Sequence, residues 1–393
     1  MRVVLAPDSF KGSLSAAEAA DAMRAGVLAA CPDADVVCIP MADGGEGTAE
    51  ALRTVLGGEK HTVEVTGPNG RPRSAEFVLV GRTAVLDSAS ACGLTLLSRK
   101  ERDIMTATTA GVGDLIQAAR AAGASRIIVG LGGSGTNDGG AGMLMRLGAR
   151  IEDAGGHPVG WGPAGLAHAR RVVLPDLPHG LIEVACDVDN PLLGPSGASA
   201  MFGPQKGARA RDVVRLESIL AHLASLLDAA RGADVAALTT AQCGCDEAAG
   251  LASLGADQPS LADIPGAGAA GGMGMAFVAL GARLRPGVQV VAETLGLADA
   301  IAGADLVMTG EGRIDAQTLR GKTPAGVADL ARTAGVPVIA IGGTVSDVAQ
   351  LADHFSAIVS ATPRGMDERA AIRGAATYLR VATARAVRDA ACR

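Results

Sequence analysis

The stretch that decides the fold is Gly130-Leu-Gly-Gly-Ser-Gly-Thr-Asn-Asp-Gly-Gly-Ala-Gly142. In front of it Arg126-Ile-Ile-Val129 is a β-branched run of strand type, and behind it Met143-Leu-Met-Arg-Leu147 is apolar enough to begin a packed helix. Strand, glycine loop and helix is the order that turns backbone N–H groups and a helix N-terminus toward an anion. Ser134, Thr136, Asn137 and Asp138 are the polar letters of the loop, able to bond phosphate oxygens, cap a helix or hold a metal. The same letters also suit a tight turn that uses glycine for positive φ. A third reading is the dinucleotide fingerprint, which Gly130-x-Gly132-x-x-Gly135 matches. That fingerprint needs an acidic residue ending the next strand about 20 residues on. Glu152-Asp153 stands near that distance, but behind only Ala149-Arg-Ile151.

Outward from the loop, the chain repeats strand and helix. Arg2-Val-Val-Leu-Ala6 reads as a strand stopped by Pro7, and Ser15-Ala-Ala-Glu18 as a capping box opening a helix to about Ala30. Asp8, Ser9 and Lys11 thus lie beyond the carboxyl end of a strand, where open α/β sheets take ligands. A second strand, Asp35 to Pro40, runs into the polar glycine loop Ala42-Asp-Gly-Gly-Glu-Gly-Thr48 and another helix. Two such units argue for a parallel sheet. The pattern then breaks into a hairpin, His61–Thr66 and Ala75–Val80 about Gly67-Pro-Asn-Gly70, with Thr83–Asp87 as a third strand. Strand and helix return near the end: Ala304–Thr309, the loop Gly310-Glu-Gly-Arg-Ile-Asp315, a helix from Thr323-Pro324, and strands at 336–341 and 355–359. The expectation is an α/β fold of two domains. One is a doubly wound, Rossmann-like parallel sheet built from residues 1–66 and 291–393. The other, residues 67–290, is an inserted mixed α/β domain carrying the antiparallel β insertion.

Composition narrows the function. A chain of 393 residues exceeds one ordinary core, and with 2% aromatics the cores must be built of Ala, Val, Leu and Ile. Net charge is −6 with no basic stripe, which excludes nucleic acid as a partner. No run approaches the roughly 20 apolar residues that span a bilayer, so no membrane is expected. Met1-Arg-Val-Val-Leu-Ala6 is too short, and too soon followed by Asp8 and Lys11, to read as a signal peptide. The seven cysteines are scattered, and Cys243-Gly-Cys245 lacks a second pair at zinc spacing. Reduced thiols in a cytoplasmic protein, without zinc or histidine catalysis, is the expected setting.

Further glycine and acidic motifs point to charge-based chemistry. The strand Leu181–Cys186 leads into Asp187-Val-Asp189, whose carboxylates project to the same side on a two-residue repeat. Two such charges call for compensation, from Mg²⁺ or from Lys206. Gly266-x-Gly268-x-x-Gly271 matches the dinucleotide fingerprint again, without a strand before it. Gly321-Lys-Thr323 looks like the end of a P-loop, but its first glycine would fall on Ala316. What survives is glycine loops at strand ends carrying Asp, Glu, Lys and Arg. Those groups are what phosphoryl transfer requires, since it runs on positioning and charge neutralisation.

Several blocks carry a specific resemblance: Asp8-Ser-Phe-Lys-Gly-Ser13, Ala42–Thr48, Thr136-Asn-Asp-Gly-Gly140, Ala185–Leu193, Phe202–Gly207, Pro265–Met273 and Thr309–Asp315. In this order and over nearly the whole chain, the sequence resembles the class I glycerate kinases, departing at Gly135, where alanine is usual. The resemblance implies ATP-dependent, Mg²⁺-assisted phosphorylation of D-glycerate to 2-phosphoglycerate, by two α/β domains with the site in the cleft between them. On that basis Lys11 and Arg313 are expected to bind the glycerate carboxylate or the migrating phosphoryl group, with Asp8, Ser9 and Glu311 also at the substrate. Asp187 and Asp189 would divide Mg²⁺ binding and activation of the substrate hydroxyl. Gly132, Gly133, Ser134, Thr136 and Asn137, with Gly266, Gly268 and Gly271, would hold the ATP phosphates. An NAD-dependent oxidoreductase acting on a small hydroxy acid and a non-catalytic nucleotide sensor remain as alternatives. Oligomeric state is not legible.

Overall fold

The structure, a computed structural model, describes residues 1–45, 47–242, 259–319 and 321–391. The pair Cys243 and Cys245, together with Glu46, lies outside the described residues. The fold is mixed α/β, divided into two compact units, residues 1–57 with 286–393 and residues 58–285.

The strands in chain order begin with β1 (Arg2–Pro7) and β2 (Asp35–Cys38). Next come β3 (Glu59–Thr66), β4 (Pro72–Val80), β5 (Thr83–Asp87), β6 (Arg126–Gly130), β7 (Arg150–Glu152), β8 (Arg171–Val173), β9 (Ile182–Ala185) and β10 (Arg283–Arg285). The last are β11 (Leu306–Ile314), β12 (Val338–Val345) and β13 (Ala357–Ser360).

In the first unit the sheet runs β13-β12-β11-β1-β2, parallel throughout. The chain leaves β1 toward β2 on one side and returns through β11, β12 and β13 on the other. The order therefore reverses between β1 and β11, and their carboxyl ends form the topological switch point at which such sheets take ligands. The capping box is present: Ser15 Oγ accepts from the Glu18 N–H at 3.2 Å while Glu18 Oε2 accepts from the Ser15 N–H at 2.8 Å, opening the helix Ala16–Ala30. That helix and the C-terminal helix Ala375–Ala391 cover one face, with Val3, Leu5, Met23, Val27, Met308, Ile341 and Leu379 in a shared core.

The second unit holds a six-stranded sheet, β10-β9-β6-β5-β4-β3. Its first four strands are parallel and the β5-β4-β3 side is an antiparallel meander. Here the order runs steadily in one direction along the parallel part, without a reversal. Ile127, Ile128 and Val129 of β6 are fully buried, as expected of a strand covered on both faces.

Two expectations need correction. The boundary does not fall at residue 66, because β3 pairs with β4 from Glu59↔Leu79 to Thr66↔Pro72 and so belongs to the second unit. At the other crossing, residues 286–290 go with the first unit. The segment 310–314 is not a loop either: β11 continues to Ile314, pairing Glu311 with Gly342 and Arg313 with Thr344. Among the described residues no helix is long and apolar enough to cross a membrane.

Candidate active site

At the switch point of the first unit lies a cavity of about 590 Å³, lined by the loop after β1, by Asp43, by Glu311–Arg313 and by Lys322. Its size suits a small-molecule site. The loop is held open by its own packing. Phe10, 3% exposed, anchors it in the core, and the Phe10 N–H donates to the Leu14 carbonyl at 2.8 Å. The Asp8 N–H donates to the Gly310 carbonyl at 2.8 Å, which ties Asp8 to the neighbouring β11. Asp8 and Ser9 are consequently half-buried, whereas Lys11 is exposed. Glu311 and Arg313, two residues apart on one strand, share a side of β11.

The carboxylates of this cavity are held in different ways. Glu311 accepts from the Thr318 hydroxyl at 2.9 Å and from Lys322 Nζ at 3.3 Å. Asp43 accepts from the Gly45 N–H at 3.0 Å and stands 3.8 Å from Lys11 Nζ. Asp8 accepts from the Thr323 hydroxyl at 2.7 Å and from the Ser9 N–H at 2.5 Å. Thr323, fully buried, opens the helix Thr323–Thr333. Burial pushes the Asp8 carboxyl above its usual range, against the Thr323 bond, with the Asp43 charge adding to the rise. Burial raises Glu311 likewise, opposed chiefly by Lys322, and the charge of Asp8 adds to it. The Lys11–Asp43 pair is long and solvent-washed, so it is weak and leaves Lys11 available. Arg313 is exposed and has no ion-pair partner among the described residues. Exposed cations beside half-buried carboxylates can clamp an anionic substrate while accepting bonds from its hydroxyls.

The glycine loop after β6 is arranged differently. Gly132 is partly open and Gly133 exposed, but Ser134, Thr136, Asn137 and Asp138 are buried. Asp138 accepts from the Thr109 N–H and hydroxyl, both at 2.9 Å, and from the Gly142 and Gly140 N–H groups at 3.2 Å. It thereby ties together the starts of the helices Ala110–Ala121 and Ala141–Arg146. The Asn137 amide donates to the Ser199 hydroxyl at 3.0 Å. Lys206, 2% exposed, donates to Ser134 Oγ at 2.9 Å and to the Thr136 carbonyl at 2.7 Å. Lys206 is therefore not the counter-charge of Asp187 and Asp189; it bonds this loop from inside. Burial pushes its ammonium down to about 8, opposed by Cys92 and Asp138, while the Cys92 thiol is pushed up to about 12 by its own burial. The strand that follows, β7, pairs antiparallel with β8 in a separate sheet, so Glu152 does not end a parallel strand beside β6 and the dinucleotide reading fails.

The second glycine loop packs against the first. Gly266, Gly268 and Gly271 are buried. A Cβ on Gly271 would stand 2.1 Å from the Thr136 carbonyl oxygen, and one on Gly268 2.2 Å from that of Pro191. The Gly139 N–H donates to the Gly271 carbonyl at 3.0 Å. What these glycines admit is neighbouring backbone. Asp187 and Asp189 follow β9 and are both exposed. Among the described residues no group of three or more His, Cys, Asp or Glu could hold an ion. A pair of exposed carboxylates fits Mg²⁺ that arrives on phosphates and keeps its waters, and does not fit an all-protein cage.

Sequence reasoning named Asp43, Asp138 and Asp315 without assigning them, and it passed over Lys322 and Thr323 once the P-loop was rejected. Asp43 and Lys322 prove to line the cavity, Thr323 to hold Asp8, and Asp138 to brace the loop. Asp315 shapes a turn, accepting from the Gln317 N–H at 2.9 Å. The usable signal for Lys322 and Thr323 was their place at the start of a helix in the unit that also holds Asp8.

Comparison with known proteins identifies the family. The sequence pattern of the glycerate kinase family matches residues 3–391. Glycerate 2-kinase of Escherichia coli K12 is 43% identical over 354 residues, 88% of this chain and 86% of that one. Glycerate kinase of Bacillus subtilis 168 is 42% identical over 388 residues, 96% of this chain and 95% of that one. A crystal structure of a protein from Salmonella typhimurium LT2, assigned as a glycerate kinase 2, superposes with a TM-score of 0.84 at 40% identity, covering 100% of this chain and 98% of that one.

Proposed function

This chain belongs to the glycerate kinase family, and from that premise we propose that it transfers the γ-phosphoryl group of ATP to the 2-hydroxyl of D-glycerate, giving 2-phosphoglycerate and ADP. The observation that carries the reading is the switch-point cavity, where exposed Lys11 and Arg313 face half-buried Asp8 and Glu311. Glycerate offers one carboxylate and two hydroxyls, which match those cations and acceptors. In this reading Lys11 and Arg313 hold the substrate carboxylate, or neutralise the phosphoryl group as it moves. Ser9 and Glu311 orient the hydroxyl side.

In the second unit, the open backbone of Gly132 and Gly133 is the part of the glycine loop left to meet ATP phosphates, since Ser134, Thr136 and Asn137 are buried. Asp187 and Asp189 would hold Mg²⁺, which when bound neutralises phosphate charge. The test is ATP consumption by the purified protein with and without D-glycerate, with the product identified by phosphorus NMR. Turnover that requires both substrates and yields the 2-phosphate is expected. ATP loss indifferent to glycerate, or a 3-phosphate product, would overturn the reading.

A further inference from the structure

We propose that Asp8 is the proton acceptor for the substrate hydroxyl. The inference rests on the kinase reading above and deepens it, moving the acid–base role from Asp189 to the first unit. Several carboxylates line the cavity, and their partners separate them. Glu311 bonds Lys322 at 3.3 Å. Asp43 faces Lys11 at 3.8 Å. Glu368 is exposed at the start of the helix Glu368–Arg373, its charge in solvent. Asp8 is half-buried, and among the described residues it has no cation within ion-pair distance; its partners are the Thr323 hydroxyl at 2.7 Å and the Ser9 N–H at 2.5 Å. Each oxygen accepts one bond and keeps a lone pair for another donor.

Position supports the same choice. Asp8 follows β1 at the switch point, three residues before Lys11, and its N–H is tied to the carbonyl of Gly310 at 2.8 Å on the strand that carries Arg313. In glycerate the 2-hydroxyl is borne by the carbon next to the carboxylate. A substrate clamped through its carboxylate by Lys11 and Arg313 therefore presents that hydroxyl to an acceptor close to the clamp. The charged groups around Asp8 are Asp43 from the loop after β2, Lys11 on its own loop and Glu311 on β11. The helix start contributes the neutral hydroxyl of Thr323, with Lys322 already engaged by Glu311. Burial and the Asp43 charge raise the proton affinity of Asp8, the direction a general base needs.

In the step, the hydroxyl O–H bond breaks and its proton passes to the Asp8 carboxylate. The freed oxygen forms a bond to the γ-phosphorus of ATP. The bond from that phosphorus to the β–γ bridging oxygen breaks, and its electron pair leaves on ADP. Asp8 then returns the proton to water through the cavity mouth.

The test is the pH dependence of kcat and KM for D-glycerate in wild type, Asp8→Asn and Asp8→Glu, with thermal unfolding of each. Asp8→Asn is expected to lower kcat by about 10²–10⁴-fold, with KM within about threefold, and to abolish the acid limb of the kcat profile. Asp8→Glu is expected to restore the limb and part of the rate. Retained turnover, a retained acid limb, or a loss expressed only in KM would overturn the assignment. Should Asp8→Asn fail to fold, Thr323→Val removes the hydroxyl that holds Asp8 acidic while keeping the carboxylate, and must move the acid limb to higher pH. An unmoved limb overturns the assignment. Wild-type protein without glycerate-dependent ATP consumption would bring down the kinase reading and this inference together. Active wild type with an unchanged Asp8→Asn profile brings down the inference alone.

Discussion

The two units each place a loop of glycine and polar residues at the end of a buried parallel strand, and the two loops end up opposite in character. After β1, Phe10 goes inward and the charged residues stay at a cavity. After β6, Ser134, Thr136, Asn137 and Asp138 go inward, and Lys206 bonds Ser134 and the Thr136 carbonyl from inside. Topology accounts for the contrast. The β1–β11 junction is a reversal of strand order, so its neighbouring loops part and leave a crevice. Along β10-β9-β6-β5 the order never reverses, and the loop after β6 is packed over by the Gly266–Gly272 segment. A dense glycine run thus reports crowded backbone as readily as a ligand, whereas charges left half-neutralised at a switch point report a ligand.

The strongest challenge to that contrast is Gly271→Ala. Gly271 has φ +75°, and an added Cβ would fall 2.1 Å from the Thr136 carbonyl oxygen, which is backbone and cannot swing away. Strain in the left-handed region and overpacking together should destabilise by about 2–6 kcal/mol, read from urea unfolding. A stable Gly271→Ala protein with impaired ATP binding would mean that this glycine serves the nucleotide and not the packing.

Lys11→Ala probes the other side. The side chain is 84% exposed and its contact with Asp43 is long, so the unfolding midpoint should stay put. Turnover should fall by about 10²–10³-fold, the loss of one aligned charge donor, worth about 2.7–4 kcal/mol. Turnover within threefold of wild type would remove Lys11 from the site.

Lys206 offers a subtler test through pH. Its folded-state pKa, about 8, lies below the ordinary 10.5. Below pH 8 both states hold the proton. Above it the unfolded chain holds more protons than the folded one, so unfolding free energy rises with pH and the contribution is lost as pH falls through 8. Cys92, pushed up to about 12, and Cys186, to about 11, act in the opposite sense once pH exceeds their ordinary value of 9. The clean window is therefore pH 8–9. There wild type should gain up to about 1 kcal/mol that Lys206→Met does not, measured by urea titration at each pH. Equal slopes would show that the ammonium is not enclosed.

The sequence made some of this visible and hid the rest for definite reasons. The hairpin of β3 and β4, the strand of β6 and the Ser15–Glu18 capping box rest on local patterns, and each is present. The extension of β11 past Thr309 was hidden because Gly310 and Gly312 read as breaks, although partners on β12 carry the ladder to Ile314. The grip of Lys206 on Ser134 and Thr136 spans 72 and 70 residues of chain, and the bond from Thr323 to Asp8 spans 315. Pairings at such separations leave no periodic trace. A lysine beside glycine looks the same in sequence whether it meets solvent or a carbonyl oxygen.

The mildest change cuts closest to the distinction. Gly135 lies in the same buried loop as Thr136, but it is not among the glycines with positive φ. A Cβ there would meet Leu94 Cα at 3.1 Å, the Leu94 nitrogen at 3.3 Å and the Gly93 carbonyl oxygen at 3.4 Å, contacts that a shift of tenths of an ångström relieves. Its N–H bond to the Cys92 carbonyl, 2.8 Å, needs nothing of the side chain. Against the crowding stands the smaller conformational entropy of an unfolded chain with alanine in place of glycine, worth about 0.4–1 kcal/mol. Gly135→Ala should therefore leave stability within about 1 kcal/mol of wild type and leave turnover unchanged, whereas Gly271→Ala should cost about 2–6 kcal/mol. Equal destabilisation by the two would mean that backbone crowding extends over the whole loop. A selective loss of ATP affinity at 135 would mean that the buried half of the loop, and not Gly132 and Gly133 alone, answers to the nucleotide.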